Sequence, residues 1–315
     1  MKLDEFLATR ARLRTERPEL LDLSELNLYR SLARRFGPIA PSTHVEAPYR
    51  CHLAERYLAH LGFSQDLKPR TLVSHGVRRS LGALFRLLAT RGTTVGIPSD
   101  VYPVYGQLAA DAGAKVFTWP AQGALPELET LGAVLVCEPL KPWGTRLTEA
   151  DAATLASWAR RDDSRMLIID SAYATPPTPL ASKLMHEEAA VLLVSLSKGW
   201  LIPDHAGLCI VPSRFQAAAR EVFAALPKDE PKLRTGYAAL TEHAERASQV
   251  TAHLETLAAQ LDALTTQLRA TKCTGYFALS DCSFTHLLQR GVLAVPASVF
   301  GAQTEKSILS SLPPV

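Results

Sequence analysis

The chain has 315 residues, 47% of them hydrophobic, which is enough to bury the core of one large domain or two unequal ones. Lysine and arginine number 34 against 31 aspartates and glutamates, and their scattered positions exclude a concentrated nucleic-acid-binding stripe. Five cysteines without CxxC spacing indicate neither a disulfide framework nor a zinc site, and they predict a reducing compartment. We therefore expect a small-molecule partner, with no nucleic acid and no metal.

The N-terminal stretch mixes arginines with acidic residues and has no long apolar run. This pattern predicts an amphipathic helix and argues against a signal peptide or a membrane span. We expect a cytoplasmic protein that does not use a membrane.

Short β-like runs alternate with helical ones from about residue 70 to residue 212. Runs this apolar are typical of strands buried on both faces, and the alternation predicts a mostly parallel sheet sandwiched by helices, an α/β domain. The predicted strands are TLVSHG, TTVGIP, AKVFTWP, GAVLVCEPL, RMLIIDSAY, AVLLVSLSK and GLCIVP.

Beyond Pro212, long Ala/Leu/Arg-rich helices precede two further β-like runs. This change in pattern predicts a smaller α+β domain. We assign residues 45–225 to the large domain, and residues 1–44 together with 226–315 to the small one.

Ligands of parallel α/β sheets bind outside the carboxyl ends of the strands, so the residues following each apolar run are informative. Taken singly, each such group is weak, because a strand-end glycine, aspartate or lysine is commonly a turn, a cap or a solvated charge. The four strand ends that carry chemistry are SHG, which opens a helix at Val77, the loop CEPLKPWGT, DSAY and SLSK.

Six motifs stand in a characteristic order: SHGVRRS, PSDVYPVYGQ, CEPLKPWGT, DSAY, SLSK and VLAVPASVFG. In this order they resemble the fold type I pyridoxal-phosphate enzymes, in particular the aspartate-aminotransferase-like class I and II branch. The resemblance runs from about LLDLSELN to VFG and is that of a divergent member. Its most specific pair is DSAY and SLSK, in which Asp170 and Lys198 are 28 residues apart.

The resemblance implies pyridoxal 5′-phosphate as cofactor and a sheet of seven strands in the large domain. Lys198 would form the Schiff base with the cofactor aldehyde, since an amine is needed that a substrate amine can displace. Asp170 would keep the pyridine nitrogen protonated, and Tyr173 would bind the ring hydroxylate.

For the other parts of the cofactor the resemblance implies two further sets of contacts. Tyr102 is expected to stack on the pyridine face, with Tyr105 as the second candidate, while packing of both rings in the core remains the alternative. The phosphate is expected at the amides of Gly76, Val77 and Arg78 and the hydroxyls of Ser195 and Ser197.

Two departures from the family pattern concern the cofactor. Lys141 stands where the family has an asparagine beside the ring hydroxylate. It would favour the deprotonated imine, act as an acid or base, or extend into solvent. No arginine follows Lys198 at the usual distance, so His205 is the nearest phosphate ligand, with Arg78 or Arg79 as compensating side chains.

A third departure concerns the substrate. The last strand has no arginine for an α-carboxylate, although Lys306 is close, and Asn27 is the substrate-binding candidate in its place. The family also implies a homodimer with shared active sites, in which Tyr49 is the candidate tyrosine reaching the neighbour's phosphate.

These features predict an aminotransferase acting on an amino acid or a related amine. The substitutions around the substrate keep two alternatives open. One is a divergent lyase, cyclase, decarboxylase or oxidase that uses the same cofactor. The other is a catalytically idle relative that binds the cofactor or a partner.

Overall fold

The computed structural model describes residues 1–43, 49–121, 123–144, 146–203, 205–227 and 229–315, with the backbone alone at 49–51. Within these ranges the helices are α1 (Leu3–Glu16), α2 (Leu28–Phe36), α3 (Tyr49–His60), α4 (Val77–Thr90), α5 (Val104–Asp111), α6 (Glu149–Arg160), α7 (Pro179–His186), α8 (Leu196–Gly199), α9 (Gln216–Ala224), α10 (Glu230–Thr241), α11 (Arg246–Asp262) and α12 (Phe284–Gln289). The strands are β1 (Leu21–Asp22), β2 (Thr71–Ser74), β3 (Thr94–Pro98), β4 (Lys115–Trp119), β5 (Ala133–Cys137), β6 (Met166–Asp170), β7 (Ala190–Ser195), β8 (Gly207–Ile210), β9 (Phe277–Ser280), β10 (Val292–Leu293), β11 (Val295–Pro296) and β12 (Ser307–Ser310).

A seven-stranded sheet in the order β2-β8-β7-β6-β5-β3-β4 forms the centre of the described structure. All neighbours in it are parallel except β8, which is antiparallel to both β2 and β7. Each of these strands falls on one of the apolar runs, and β5 to β8 are buried at every position. The predicted fold class, a mostly parallel sheet of seven strands, is confirmed.

Helices cover both faces of this sheet, because each face is apolar and must be removed from water. One face packs against α3, α6, α7 and α10, with Tyr57 and Trp158 among the fully buried side chains. The other packs against α4, α5 and α9, with Phe85 at its centre. Burying one such aromatic side chain contributes about 1.5–3 kcal/mol. None of the described helices is both long and apolar enough to cross a membrane.

A third apolar cluster contains residues from near both chain termini and packs around the antiparallel sheet β11-β12-β9. The predicted domain boundary at residues 225 and 226 stays a prediction. Helix α10, which follows it, packs against α3 through Leu233 within the core of the large sheet.

Candidate active site

Lys198 and Asp170 are delivered by neighbouring parallel strands. Asp170 is the last residue of β6, and Lys198 lies in α8, the single helical turn that follows β7. The hydroxyl of Ser195 caps this turn by accepting a hydrogen bond from the Ser197 amide at 3.1 Å. The hydroxyl oxygens of Ser195 and Ser197 lie 2.8 Å apart. Ser195 therefore caps the turn that carries the lysine, and Ser197 lies within that turn next to Lys198.

The Asp170 carboxylate is buried and holds two hydrogen bonds. Its Oδ1 atom accepts the Ala172 amide at 2.9 Å, and its Oδ2 atom accepts the Tyr105 hydroxyl at 2.6 Å. Burial raises the pKa of Asp170 above its ordinary value, while the two donors and the charges of Lys198 and Lys141 act to lower that pKa. The site thus contains a desolvated carboxylate surrounded by groups that favour its anion.

The Tyr173 ring brings two lysines together. The Nζ atom of Lys198 lies 4.9 Å from the ring centre, and the Nζ atom of Lys141 lies 3.6 Å from it. Burial, and then the negative charge of groups such as Asp170, raises the pKa of Tyr173 well above its ordinary value. Tyr173 is therefore a neutral phenol with two amines within cation–π distance.

Of the three possibilities considered for Lys141 from the sequence, the structure contradicts the last: the side chain does not extend into solvent. Its Nζ atom donates a hydrogen bond to the Tyr276 hydroxyl at 3.1 Å and lies 4.6 Å from the Phe277 ring centre. Desolvation lowers the pKa of Lys141 well below its ordinary value, the charge of Lys198 lowers it further, and Asp170 opposes both. Tyr276 and Phe277 come from the small sheet, so the two parts of the chain meet at this amine.

The loop that carries Lys141 is fixed on both sides of that residue. Trp143 is buried and donates its indole N–H to the Asp100 carbonyl at 2.7 Å. Glu138 is also buried, and its Oε2 atom accepts the Leu147 amide at 2.8 Å. These contacts hold the position of the amine without contacting it.

The predicted phosphate end is built by β2, α4 and β8. Gly76 caps α4 with φ of 89°, a left-handed conformation that favours glycine. A Cβ atom added at Gly207 would lie 2.8 Å from the Val194 carbonyl oxygen and 3.0 Å from the Gly76 Cα, so glycine permits this close approach. The first amides of α4, those of Val77 and Arg78, have no carbonyl of their own helix to bind and face outward from its positive end.

A histidine pair links this end to the chain beyond β8. The His75 Nδ1 atom donates to the His205 carbonyl at 2.9 Å, and its Nε2 atom accepts the Asp229 amide at 3.0 Å. The His205 ring Nδ1 itself donates to the Pro203 carbonyl at 2.6 Å, which leaves the Nε2 side of that ring for other contacts. Arg78 and Arg79 are exposed.

The remaining predicted residues fall into different surroundings. Tyr102 is partly buried and meets Tyr105 edge to face, with ring centres 5.7 Å apart. Asn27 is exposed and caps α2 by accepting the Arg30 amide at 3.0 Å, a bond that does not use its Nδ2 group. The side chain of Tyr49 lies outside the described residues.

The last strand, β12, has the sequence Ser-Ile-Leu-Ser and is buried throughout. It contains no arginine, as expected from the sequence. Lys306, which precedes it, pairs with Asp281 at 2.8 Å in a partly exposed ion pair. Lys306 is therefore already engaged by a carboxylate of the chain itself.

Three side chains of the site were not assigned from the sequence. Tyr276 and Phe277 reach Lys141 from 135 and 136 residues away, and the only sequence signal was an aromatic pair at the start of a β-like run. Cys137, the last residue of β5, donates its thiol to the Tyr105 hydroxyl at 3.2 Å. Its position at a strand end was the available signal.

The chain resembles known proteins both in sequence and in fold. The family model described as "Aminotransferase class I and II" matches residues 33–309. An LL-diaminopimelate aminotransferase from Chlamydia pneumoniae is 27% identical over 185 residues, which are 52% of this chain and 46% of that enzyme. The match thus spans about half the length of this curated relative.

Solved structures share the fold over nearly the whole chain. A structure from Escherichia coli reported with a methionine aminotransferase function has a TM-score of 0.72 and 20% identity, covering 96% of this chain and 92% of that one. A double mutant of Thermus thermophilus aspartate aminotransferase also has a TM-score of 0.72 and 20% identity, covering 98% of this chain and 92% of that one.

Proposed function

The chain belongs to the aminotransferase class I and II family, and on this premise we propose that it is a pyridoxal-phosphate-dependent aminotransferase acting on an amino acid or a related amine. The observation that carries the proposal is the convergence of Lys198 and Asp170 from adjacent strand ends, with the amines of Lys198 and Lys141 4.9 Å and 3.6 Å from the centre of the Tyr173 ring. An amine, a desolvated carboxylate and a neutral phenol are the groups that amine transfer requires.

The residues present fit this cofactor. The turn between β2 and α4 presents backbone amides to an anion, and the absence of a Cβ atom at Gly207 keeps β8 close to that turn. At the other end of the site, Asp170 is a buried carboxylate suited to a cationic ring nitrogen. When bound, the cofactor supplies an aldehyde that condenses with amines and a pyridinium ring that withdraws electrons from the substrate Cα.

Lys198 is proposed to hold the cofactor through its Nζ atom and to yield that position to the substrate amine. With the cofactor bound, the released Lys198 amine would be the group that accepts the proton of the substrate Cα and carries it during the transfer. Lys198 lies in the partly buried turn α8, directly after the end of β7. One side chain thus serves as anchor and as proton carrier.

Asp170 is proposed to face the pyridine nitrogen and to keep it protonated. A carboxylate does this only as an anion, and the donors on its two oxygens favour the anion against the effect of burial. Tyr173 is proposed to donate to the ring oxygen, since a phenol with a raised pKa remains a donor at neutral pH.

Lys141 is proposed to act as a base in its neutral form. Desolvation lowers the pKa of Lys141 well below its ordinary value, and a lowered pKa is what lets a buried lysine act as a base. The hydrogen bond to Tyr276 keeps the amine on the site instead of letting it rotate away.

For the phosphate we propose the amides of Gly76, Val77 and Arg78, the hydroxyls of Ser195 and Ser197, and His205. We propose that Tyr102 stacks on the ring, because Tyr105 uses its hydroxyl elsewhere and is fully enclosed. Asn27 remains the proposed substrate contact through its Nδ2 group.

We also propose a homodimer with shared active sites, with Tyr49 reaching the partner's phosphate, in a cytoplasmic setting. Family membership supports the dimer. The described cysteines, Cys137, Cys209, Cys273 and Cys282, are free thiols, which is typical of a reducing compartment. Light scattering of the purified protein tests the dimer, and a monomer would contradict it.

The experiment for the function is a single-turnover assay. Protein loaded with pyridoxal 5′-phosphate is mixed with a panel of amino acids and of the corresponding decarboxylated amines, and the amine form of the cofactor and the keto product are quantified. We expect transfer with at least one amino acid, and its loss in Lys198→Ala. The control Lys183→Ala removes an exposed lysine of α7 and should transfer normally. Product formation with the cofactor returned as aldehyde would contradict transamination.

A further inference from the structure

A chain of three buried polar groups ends at Asp170, the residue proposed to face the ring nitrogen. The Cys137 thiol donates to the Tyr105 hydroxyl at 3.2 Å, and the Tyr105 hydroxyl donates to Asp170 Oδ2 at 2.6 Å. Relative exposures are 5% for Cys137, 3% for Tyr105 and 6% for Asp170. Hydrogen bonds to an ionised group in such low-dielectric surroundings are among the stronger ones in proteins.

Three separate elements supply this chain. Cys137 and Asp170 are register partners at the ends of β5 and β6, and Tyr105 comes from the first turn of α5 above them. The Tyr105 ring is held edge to face against Tyr102 at an interplanar angle of 85°. Its hydroxyl is therefore directed by packing as well as by its hydrogen bonds.

We propose that Tyr105 is a positioning residue that keeps the Asp170 carboxylate oriented and ionised toward the cofactor nitrogen. This inference rests on the proposed function, because it assigns Asp170 to the pyridine nitrogen. Tyr105 does not contact the reacting atoms; it acts through Asp170.

The physical reason is that each oxygen of the Asp170 carboxylate accepts a hydrogen bond from a different donor. The Ala172 amide holds Oδ1 and the Tyr105 hydroxyl holds Oδ2, so rotation of the carboxylate about its last bond would break one of two hydrogen bonds. Each oxygen keeps a second lone pair, which is where a ring N–H is received. A phenol that donates to Asp170 also stabilises its anion and opposes the effect of burial.

A hydroxyl that served packing alone would need only one partner inside the protein. Tyr105 instead accepts from Cys137 and donates to Asp170, and acceptance of the thiol proton strengthens its donation. Other titratable groups also face or act on Asp170, so its titration depends on all of them: Lys198 in α8, Lys141 in the loop after β5, Tyr173 beyond β6 and Cys137 in β5.

Removal of the Tyr105 hydroxyl should shift the pKa of Asp170 in a defined direction. In Tyr105→Phe the Asp170 anion loses a donor, so its pKa rises and it takes up a proton at a higher pH than in the wild type. A protonated Asp170 no longer pairs with a ring N–H. The loss of cofactor affinity should therefore be greatest at acidic pH and should diminish as the pH rises.

The test measures the dissociation constant of pyridoxal 5′-phosphate from the full chain as a function of pH, followed by the visible absorption of the bound cofactor. Tyr105→Phe should weaken binding about tenfold at acidic pH, the ratio expected for a shift of one pKa unit. The pH-dependent change in the visible absorption of the bound cofactor should move to higher pH by the same amount. The control Tyr57→Phe removes another buried hydroxyl, in the core beside Trp200, and should leave both profiles unchanged.

A double mutant that combines Tyr105→Phe with Asp170→Asn tests the proposal even if the variants differ in stability. Asp170→Asn has no carboxylate to ionise, so adding Tyr105→Phe to it should cause no further pH-dependent loss. Superimposable profiles for the wild type and Tyr105→Phe, or an equal effect of Tyr105→Phe in both backgrounds, would overturn the inference. If Asp170→Asn itself left cofactor binding and its pH dependence unchanged, the proposed function would fail instead.

Discussion

The Nζ atom of Lys141 lies 3.6 Å from the centre of the Tyr173 ring. Its pKa is well below the usual range, first through desolvation and then through the charge of Lys198. If the neutral amine is a base, kcat of the wild type rises with pH through this pKa. Lys141→Met should lose that limb and lower kcat about 100-fold, the usual contribution of a general base.

The measurement is the pH profile of kcat for the two proteins. Lys115→Met, which removes an exposed lysine of β4, is the matched control and should keep the wild-type profile. A limb that persists unchanged in Lys141→Met would show that another group produces it.

Substitution of Tyr276 alters the surroundings of the Lys141 amine without removing the amine itself. The Tyr276 hydroxyl accepts a hydrogen bond from Lys141 at 3.1 Å, which stabilises the ammonium form. In Tyr276→Phe the ammonium loses this acceptor, so the pKa of Lys141 falls further and the limb of the kcat profile moves to lower pH. Movement to higher pH would contradict the direction of the hydrogen bond.

Gly207 connects packing to the phosphate end of the site. In Gly207→Ala the new Cβ atom would meet the Val194 carbonyl at 2.8 Å and Gly76 at 3.0 Å, so backbone must shift. We expect a loss of about 1–3 kcal/mol in the free energy of unfolding, together with weaker cofactor binding. Gly106→Ala in α5 has no atom within 4 Å of its Cβ and should be neutral or stabilising. Equal denaturation midpoints for the two variants would refute the close approach.

The burial of Glu138 should make the free energy of unfolding depend on pH. Glu138 is buried, and burial raises its pKa above the ordinary value, although hydrogen bonds from the Leu147 amide and the Thr178 side chain oppose that shift. The folded state therefore holds the proton more tightly than the unfolded state, and this residue costs stability as the pH rises past the unfolded pKa.

Glu138→Gln keeps an acceptor for the Leu147 amide and removes the charge. It should be more stable than the wild type at neutral pH by about 1.4 kcal/mol per unit of pKa shift, and the gain should vanish in acid where Glu138 is protonated in both states. Denaturant titrations at the two pH values measure this difference. A gain of equal size in acid would point to a cause other than ionisation.

Much of the site could be predicted because strand ends of a parallel sheet meet at one edge. The apolar runs located β5, β6 and β7, and the residues after them were therefore expected together, as Asp170 and Lys198 are. Residue types and their spacing along the chain were sufficient for this step.

Contacts that depend on ring direction or on distant segments could not be predicted in this way. Tyr102 and Tyr105 were both candidates from the sequence for stacking on the pyridine ring. Only the packing of the folded chain directs the Tyr105 hydroxyl to Asp170. Tyr276 reaches Lys141 across 135 residues, a separation at which spacing carries no information. The ion pair between Lys306 and Asp281 likewise joins two separate segments of the chain, and the sequence did not predict it.

The central claim is that Lys198, and not the neighbouring Lys141, carries the cofactor. Borohydride reduction of the loaded protein makes the bond between cofactor and lysine permanent, and peptide mass spectrometry then locates it. We predict that the added mass lies on the peptide containing Lys198 and is absent from that peptide when substrate amine is added before reduction. Modification of Lys141 in its place, or no modified lysine in a protein that binds the cofactor, would contradict the account.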